Sequence, residues 1–223
     1  MNFSRPLILA SSSPRRQFLL KEAGFIFKID APDIDESFSA SMKVEEVPMY
    51  LAEKKAKALL SKIKDEIILA SDTVVILGDT ILNKPVDRND AIKMLTTLSG
   101  KTHLVITAVC LLSKEKMIFF DDRTEVTFAK LTRSEIEFYI DNFKPFDKAG
   151  AYGAQDCLPA GINPCSKEEI SFLESIHKLD LIDKSISSSQ AGVGMIGVEK
   201  INGSYFTVMG LPIHRVYQEL QKF

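Results

Sequence analysis

The sequence predicts a single α/β domain, spanning residues 1–223, in which helices flank a mixed, twisted sheet. Short apolar runs with strand character alternate along the chain with stretches of helical periodicity, and this alternation is typical of sheets covered by helices. The chain has 223 residues, of which 45% are hydrophobic and 26% are charged, so it can bury a sizeable core. Both observations favour a globular domain over a disordered or fibrous chain.

The order of the predicted elements is marked by turn residues and helix caps. Gly24 ends a first helix, Asp87 begins another, and Thr132 opens a capping box. The predicted strands are 7–10, 25–29, 67–77, 80–82, 103–112 and 117–128. Five helices are predicted: one that ends at residue 23, one over about 48–61, one between residues 87 and 100, one over 132–142, and one that begins near residue 212. Near the carboxyl end, Asn202 and Gly203 predict a hairpin between strands 195–201 and 205–208.

Residues 156–191 interrupt this regular order. The segment begins with turn residues and continues as an amphipathic piece over 167–179. Its apolar stripe consists of Ile170, Leu173, Ile176 and Leu179. We expect a surface excursion whose stripe covers either the domain's own surface or a partner subunit.

The amino-acid composition limits the classes of molecule that the protein is expected to bind. The net charge of −2, from 28 basic and 30 acidic residues, argues against a nucleic acid polymer, because its binders need a basic face. No apolar stretch approaches the roughly 20 residues that span a bilayer, so we expect no membrane partner. Cys110, Cys157 and Cys165 are too few and too widely spaced for a disulfide framework or a zinc site, which favours a cytoplasmic location.

The stretch from Ser11 to Arg16 has the form of an anion site. A strand that ends in small hydroxyl residues and leads into a helix aims backbone N–H groups at one point. Arg15 and Arg16 lie on the first helical turn, where the macrodipole disfavours cations. A bound anion would resolve the conflict, since arginine binds phosphate through two N–H groups. A serine N-cap followed by two solvated arginines is the alternative, and the spacing leaves both open.

Asp72 interrupts the most apolar predicted strand, 67–77. An ionised carboxylate in a strand buried on both faces is costly unless it is paired or binds a metal, which favours a functional role over a bond to a backbone turn. Lys55 lies in an apolar helical stripe, from which it either extends along the surface or reaches a cleft. Lys84 follows the strand. Glu36 lies in an acidic loop, and a carboxylate in such a loop suits Mg²⁺. Both Lys84 and Glu36 also fit ordinary solvated positions.

Several segments, in this order, resemble the Maf family. They are 9–16 (LASSSPRR), 70–75 (ASDTVV), 84–85 (KP), 98–103 (LSGKTH), 147–155 (DKAGAYGAQ), and 201–205 (INGSY) with 210–212 (GLP). The resemblance extends over about residues 5–155 and 192–220. It implies a Maf/ITPase-like α/β fold with a deep nucleotide-binding cleft, commonly in a homodimer.

The resemblance also implies an activity, the hydrolysis of nucleoside triphosphates to monophosphates and pyrophosphate, with Asp72 as proton acceptor. In the subgroup acting on dTTP and UTP, the residues matching Arg15, Thr73 and Gln155 set the substrate choice. A sister subgroup acting on methylated GTP typically carries Gln after the catalytic Asp. We therefore expect dTTP, UTP or modified pyrimidine nucleotides as substrates. The segment 156–191 departs from the family, which has a short Gly-rich link at this point.

The expected mechanism is attack of water on the α-phosphorus with loss of pyrophosphate. The residues expected to contact the phosphates are Ser13, Arg16, Lys55 and Lys84. A divalent cation, Mg²⁺ or Mn²⁺, held by Glu36 and Asp72, would assist the reaction. Two other functions stay open: a nucleotide-binding regulatory protein acting in septum formation, from which the family takes its name, and a pyrophosphatase that prefers a purine or modified nucleotide.

Overall fold

The computed structural model describes residues 3–159, 162–187 and 197–223. Its strands are Leu7–Leu9 (β1), Phe27–Ile29 (β2), Ile67–Leu77 (β3), Thr80–Leu82 (β4), Thr102–Leu112 (β5), Met117–Phe128 (β6) and Val198–Asn202 (β7). Its α-helices are Pro14–Glu22 (α1), Val47–Leu59 (α2), Arg88–Leu98 (α3), Arg133–Phe143 (α4), Ala154–Cys157 (α5), Lys167–Ser175 (α6), Asp180–Ser187 (α7), Tyr205–Met209 (α8) and Ile213–Leu220 (α9). None of these helices is both long and apolar enough to cross a membrane.

The strands form one mixed sheet within the described residues, as the sequence predicts. Its order is β2-β1-β3-β5-β6-β7, and β4 pairs with the end of β3. β1 runs parallel to β2 and β3, whereas the pairs from β3 through β7 are antiparallel. β1 pairs with residues 67–69 of β3, and β4 pairs with residues 75–77. Within the described residues, the centre of β3 is therefore paired with β5 on one edge and has no strand partner on the other edge.

The two faces of the sheet carry different helices. Alternate residues of a strand point to opposite faces: on β3, Ile68 and Ala70 pack with α2, whereas Leu69 packs in the main core with α3 and α4. Asp72 is in phase with Ile68 and Ala70, and Thr73 is in phase with Leu69. The centre of β3 consequently directs Asp72 toward α2 and Thr73 toward the opposite layer.

The predicted hairpin near the carboxyl end is wrong in its second half. β7 is a strand as expected, but α8 stands where the strand 205–208 was predicted. Ser204 caps this helix by accepting a hydrogen bond from the N–H of Thr207 at 3.0 Å, and most of its side chains are buried. A short apolar run that is buried all round has no periodicity to distinguish a strand from a helix. Residues 195–196 of the predicted first strand lie outside the described residues.

In the segment 156–191, the helix α6 begins where the amphipathic piece 167–179 is predicted and ends at Ser175, and a second helix, α7, follows that piece. Leu173 and Leu181 are fully buried in the main core. The ring of Phe172 packs against that of Tyr217, with centroids 5.4 Å apart. Of the expected stripe, Leu173 lies in the core and Ile170 and Ile176 pack against it, whereas Leu179 is 46% exposed. The stripe therefore covers the domain's own surface, which is one of the two expected alternatives.

A charged contact joins the same segment to the start of the chain. Lys184 of α7 forms a salt bridge with Glu22 of α1, with 2.8 Å between Nζ and Oε2. Residues 160–161 and 188–191 lie outside the described part of the chain, and with them the expected end of the segment. The part that is described packs as an integral layer of the domain.

We predict that Leu173→Ala lowers the free energy of unfolding by about 2–5 kcal/mol, because it leaves a cavity in place of a fully buried side chain. Leu179→Ala is the matched control, since Leu179 is 46% exposed and its truncation should change the free energy by less than about 0.5 kcal/mol. Urea denaturation followed by circular dichroism measures both values. Small and equal effects would show that α6 is not part of the core.

Candidate active site

Asp72 and Lys55 face each other at the open stretch of β3. Lys55 follows Val47 and Leu51 at intervals of four residues, so it shares their buried face of α2. Its ammonium donates a hydrogen bond to Asp72 Oδ1 at 2.6 Å and lies 3.1 Å from Glu36 Oε1. Lys55 thus reaches inward rather than along the surface, and its ammonium links the two carboxylates that were predicted to bind a metal.

The electrostatics of Asp72 are dominated by its burial. Desolvation raises the pKa of Asp72 above its ordinary value, and the positive charges of Lys55 and Arg16 oppose this rise without cancelling it. The negative charge of Glu36 acts in the same direction as burial. A carboxylate whose conjugate acid has a raised pKa is a stronger base than a free aspartate, so this environment suits a proton acceptor.

Arg16 is buried and joins three parts of the chain. Its Nε donates to the carbonyl of Gly210 (2.8 Å), its Nη1 to Ser11 Oγ (3.2 Å) and its Nη2 to Thr73 Oγ1 (3.0 Å). Gly210 ends α8, so the guanidinium lies at the negative end of that helix, where a cation is favoured. Burial lowers the pKa of Arg16 to about 10, and the side chain remains charged near neutral pH.

Thr73 and Ser13 use their hydroxyl groups differently. Thr73 Oγ1 accepts the hydrogen bond from Arg16 and lies 2.9 Å from Thr107 Oγ1, so it is engaged within the protein. Ser13 occupies the N-cap position of α1, yet in the described structure its side chain makes no capping bond. The alternative of a serine cap with two solvated arginines does not describe this loop, since Ser13 does not cap and Arg16 is buried.

A cavity of about 570 Å³ opens at the centre of β3. Its wall includes every site residue predicted from the sequence: Ser13, Arg15, Arg16, Glu36, Lys55, Asp72, Thr73, Lys84 and Gln155. Lys84 is exposed and Gln155 is buried, while Nη1 of Arg15 lies 3.6 Å from Oδ2 of Asp147. The fold therefore brings together residues as far apart in the sequence as Ser13 and Gln155.

Glu36 and Asp72, the predicted metal ligands, converge on one point. Both carboxylates contact the ammonium of Lys55, which stands where a cation between them would lie. The described part of the chain contains no group of three or more His, Cys, Asp or Glu side chains that could hold a metal ion. Mg²⁺ is commonly bound by one or two carboxylates together with substrate phosphates, so the two residues fit an ion that arrives with a nucleotide.

The residues behind the cavity wall were missed by sequence reasoning. The sequence predicts no role for His103, yet its Nε2 lies 2.7 Å from the hydroxyl of Tyr152, which lines the cavity. Burial lowers the pKa of His103 to about 4, so its ring is neutral at neutral pH. Tyr152 lies within the 147–155 motif, but His103 precedes it by 49 residues, and only the tertiary structure joins them.

The fold and the site define a class of α/β enzyme in which several cations surround one buried carboxylate. The chain belongs to the Maf family, since the family model described as Maf-like protein matches residues 6–169 and 162–223. Among solved structures, the Ham1 protein of Staphylococcus aureus aligns with a TM-score of 0.40 and 14% identity, over 56% of this chain and 72% of that one. A HAM1 protein from Coxiella burnetii aligns with a TM-score of 0.40 and 16% identity, over 56% and 74%.

Relatives with an assigned activity match the chain over almost its whole length. The dTTP/UTP pyrophosphatase of Bacteroides fragilis is 39% identical over 218 residues, which is 97% of this chain and 95% of that one. The protein of the same name from Phocaeicola vulgatus is 40% identical over the same shares. That of Christiangramia forsetii is 39% identical over 97% of this chain and 93% of its own. The similarity is therefore not confined to single motifs.

We predict that Lys55→Met raises the pKa of Asp72 further, because it removes a positive charge that opposes the effect of burial. Carboxyl ¹³C shifts followed in an NMR titration of the wild-type protein and the variant measure this pKa. An Asp72 pKa that stays the same in Lys55→Met would contradict the ion pair.

The same shift predicts the sign of a pH effect on stability. Because folding raises the pKa of Asp72, its stabilising contribution is fully present below the unfolded pKa of about 3.9 and is lost as the pH rises through the folded pKa. Asp72→Asn should remove this part of the pH dependence of unfolding.

Proposed function

We propose that the protein is a nucleoside triphosphate pyrophosphatase that hydrolyses dTTP and UTP to the monophosphate and pyrophosphate. The observation that carries the proposal is Asp72, a buried carboxylate with a raised pKa that is paired with Lys55 in the wall of a cavity also lined by Arg16. A strand without a chemical role would be more stable with an apolar residue at this position. The printed names of the relatives support the same substrate class.

In the proposed reaction, Asp72 orients a water molecule and takes its proton while the water oxygen attacks the α-phosphorus. The bond between the α-phosphorus and the oxygen that bridges to the β-phosphate breaks, and its electron pair leaves with pyrophosphate. Lys55 donates to Oδ1 of Asp72, so Oδ2 is the oxygen that would accept the proton. The raised pKa of Asp72 brings its base strength closer to the operating pH.

The triphosphate would lie between the N-terminus of α1 and the cations of the cavity. The Ser13 hydroxyl, which makes no capping bond in the described structure, and the backbone N–H groups of α1 would bind phosphate oxygens. Lys84 would approach from the exposed side, and Lys55 would exchange Glu36 for a phosphate. Arg16 would act chiefly through its fixed charge, since three of its N–H groups already have partners.

Glu36 and Asp72 would hold a divalent cation, Mg²⁺ or Mn²⁺, together with phosphate oxygens. When bound, such an ion polarises the phosphoryl group and neutralises charge on the leaving pyrophosphate. Lys55 occupies the point between the carboxylates in this structure, and its flexible side chain can turn toward the phosphates.

Arg15, Thr73 and Gln155 would select the pyrimidine base. Gln155 is buried in the cavity wall, where hydrogen bonds from its amide to a base edge would discriminate strongly between bases. Thr73 would act through Arg16 rather than by contact with the base, because its hydroxyl is already engaged. In this proposal, Gln155 selects the base by direct contact, whereas Thr73 acts indirectly through Arg16.

We also infer that the enzyme works as a homodimer in the cytoplasm, with neither a nucleic acid polymer nor a membrane as partner. The near balance of charge, −2 in total, supports a local phosphate site over a polyanion-binding face. Cys110, Cys157 and Cys165 are free thiols, as is usual in a reducing compartment. The dimer rests on the family resemblance.

Asp72→Asn should lower turnover of dTTP by about 10²-fold or more while the fold is retained, because the amide cannot accept the proton of water. Pyrophosphate release in the presence of Mg²⁺ measures the loss. Asp79→Asn, at an exposed turn of the same hairpin, is the matched control and should leave turnover unchanged. Near-normal turnover in Asp72→Asn would exclude the residue from the mechanism.

A nucleotide panel tests the substrate assignment separately. We expect kcat/KM for dTTP and UTP to exceed that for GTP, ATP and methylated GTP by at least about tenfold, because a buried amide rejects a base that leaves it unpaired. Gln155→Ala should reduce this ratio more than it reduces turnover of dTTP. A panel with GTP or its methylated form on top would refute the pyrimidine assignment and leave the pyrophosphatase assignment intact.

A further inference from the structure

Glu169 of α6 is a fully buried carboxylate that lies outside the cavity. Both of its oxygens accept hydrogen bonds, at 2.6 Å from Ser204 Oγ, 2.8 Å from the N–H of Phe206, 2.8 Å from the N–H of Ser166 and 3.1 Å from the N–H of Tyr205. Three of these four donors belong to the start of α8. Glu169 therefore holds the N-terminus of a helix that is distant in sequence.

The contact exceeds what capping of α6 requires. In the capping box of α6, Glu169 needs to accept only the N–H of Ser166. The first-turn N–H groups of α8 have no partner within their own helix, and here those of Tyr205 and Phe206 bond to the carboxyl oxygens of Glu169. Ser204 adds the cap to the N–H of Thr207. The start of α8 is thus fixed by several bonds at once.

The other end of α8 lies in the cavity wall. The carbonyl of Gly210 accepts hydrogen bonds from Arg16 Nε at 2.8 Å and Ser71 Oγ at 3.3 Å. The carbonyl of Thr207 accepts one at 2.7 Å from Thr107 Oγ1, the hydroxyl that lies 2.9 Å from Thr73 Oγ1. A helix of five residues is about 7.5 Å long, so a shift at its start reaches its last carbonyl almost undiminished.

We propose that Glu169 is a positioning residue for the catalytic cavity, acting through α8 on Arg16 and Thr73. The proposal rests on the proposed pyrophosphatase activity. It assigns a function to the segment 156–191: its helix α6 fixes the position of α8, and α8 fixes the position of the Arg16 guanidinium in the cavity. Glu169 itself does not touch the substrate. Its loss should misplace a fixed charge in the cavity, and misplacement by about 1 Å costs up to about 10²-fold in rate.

A double-mutant cycle distinguishes positioning from a general loss of structure. Glu169→Gln keeps the size of the side chain but points an NH₂ group at backbone donors. We expect it to lower kcat/KM for dTTP with Mg²⁺ by about tenfold or more, mainly through kcat. In an Arg16→Lys background the same change should cost less than about threefold, because the guanidinium that it misplaces is absent. Glu174→Gln, exposed on the same helix, is the control and should have no effect.

Each outcome of this cycle decides the proposal. An equal loss in both backgrounds would assign Glu169 a merely structural role, and no loss in either background would remove it altogether. If Glu169→Gln does not fold, Ser204→Ala, which deletes one of the four donors, replaces it in the cycle with the same criterion. A wild-type protein that releases no pyrophosphate would refute the proposed function instead, so the two failures are distinguishable.

Discussion

The site depends on a difference in length between two neighbouring strands. β1 has three residues and β3 has eleven, so β3 extends well beyond its parallel neighbour before β4 pairs with its end. A central strand is normally covered on both edges and both faces. Here Asp72 and Thr73, which point to opposite faces, line the same cavity. A β1 longer by a few residues would close the edge and separate the two side chains.

The charges that line this opening are not there for stability. Asp72, Lys55 and Arg16 are each at most 9% exposed, and the desolvation of such groups commonly exceeds the Coulomb energy that they gain. Replacement of buried ion pairs by apolar side chains of the same volume is often neutral or stabilising. The arrangement is instead suited to a preorganised field, which acts on a reacting phosphate without reorientation of solvent. It follows the general conflict between stability and activity in enzyme sites.

The sequence predicts the charged residues that line the cavity better than the contacts that lie behind them. An aspartate within an apolar strand and a lysine within an apolar helical stripe are local contradictions of the burial pattern, and such contradictions are readable from sequence alone. The contacts farther from the cavity are not, because Glu169 meets the start of α8 and His103 meets Tyr152 only in the tertiary structure. The sequence pattern predicts a strand in place of α8 for a related reason: a short helix with few exposed side chains lacks the polar face by which helices are identified.

Arg16 and Lys55 carry the same charge but differ in conformational freedom, which suits them to different tasks in the proposed reaction. The planar guanidinium of Arg16 is held by partners from the loop before α1, from β3 and from the end of α8, so its charge stays in one place. The ammonium of Lys55 sits on a flexible stem between two carboxylates and can follow a phosphate or make room for a cation. A field that needs no reorganisation must come from the fixed group. Arg16 is held partly by the carbonyl of Gly210, which ends α8, and the start of α8 is held by Glu169 of α6. In our proposal, the segment 156–191 therefore supports the fixed charge of the cavity.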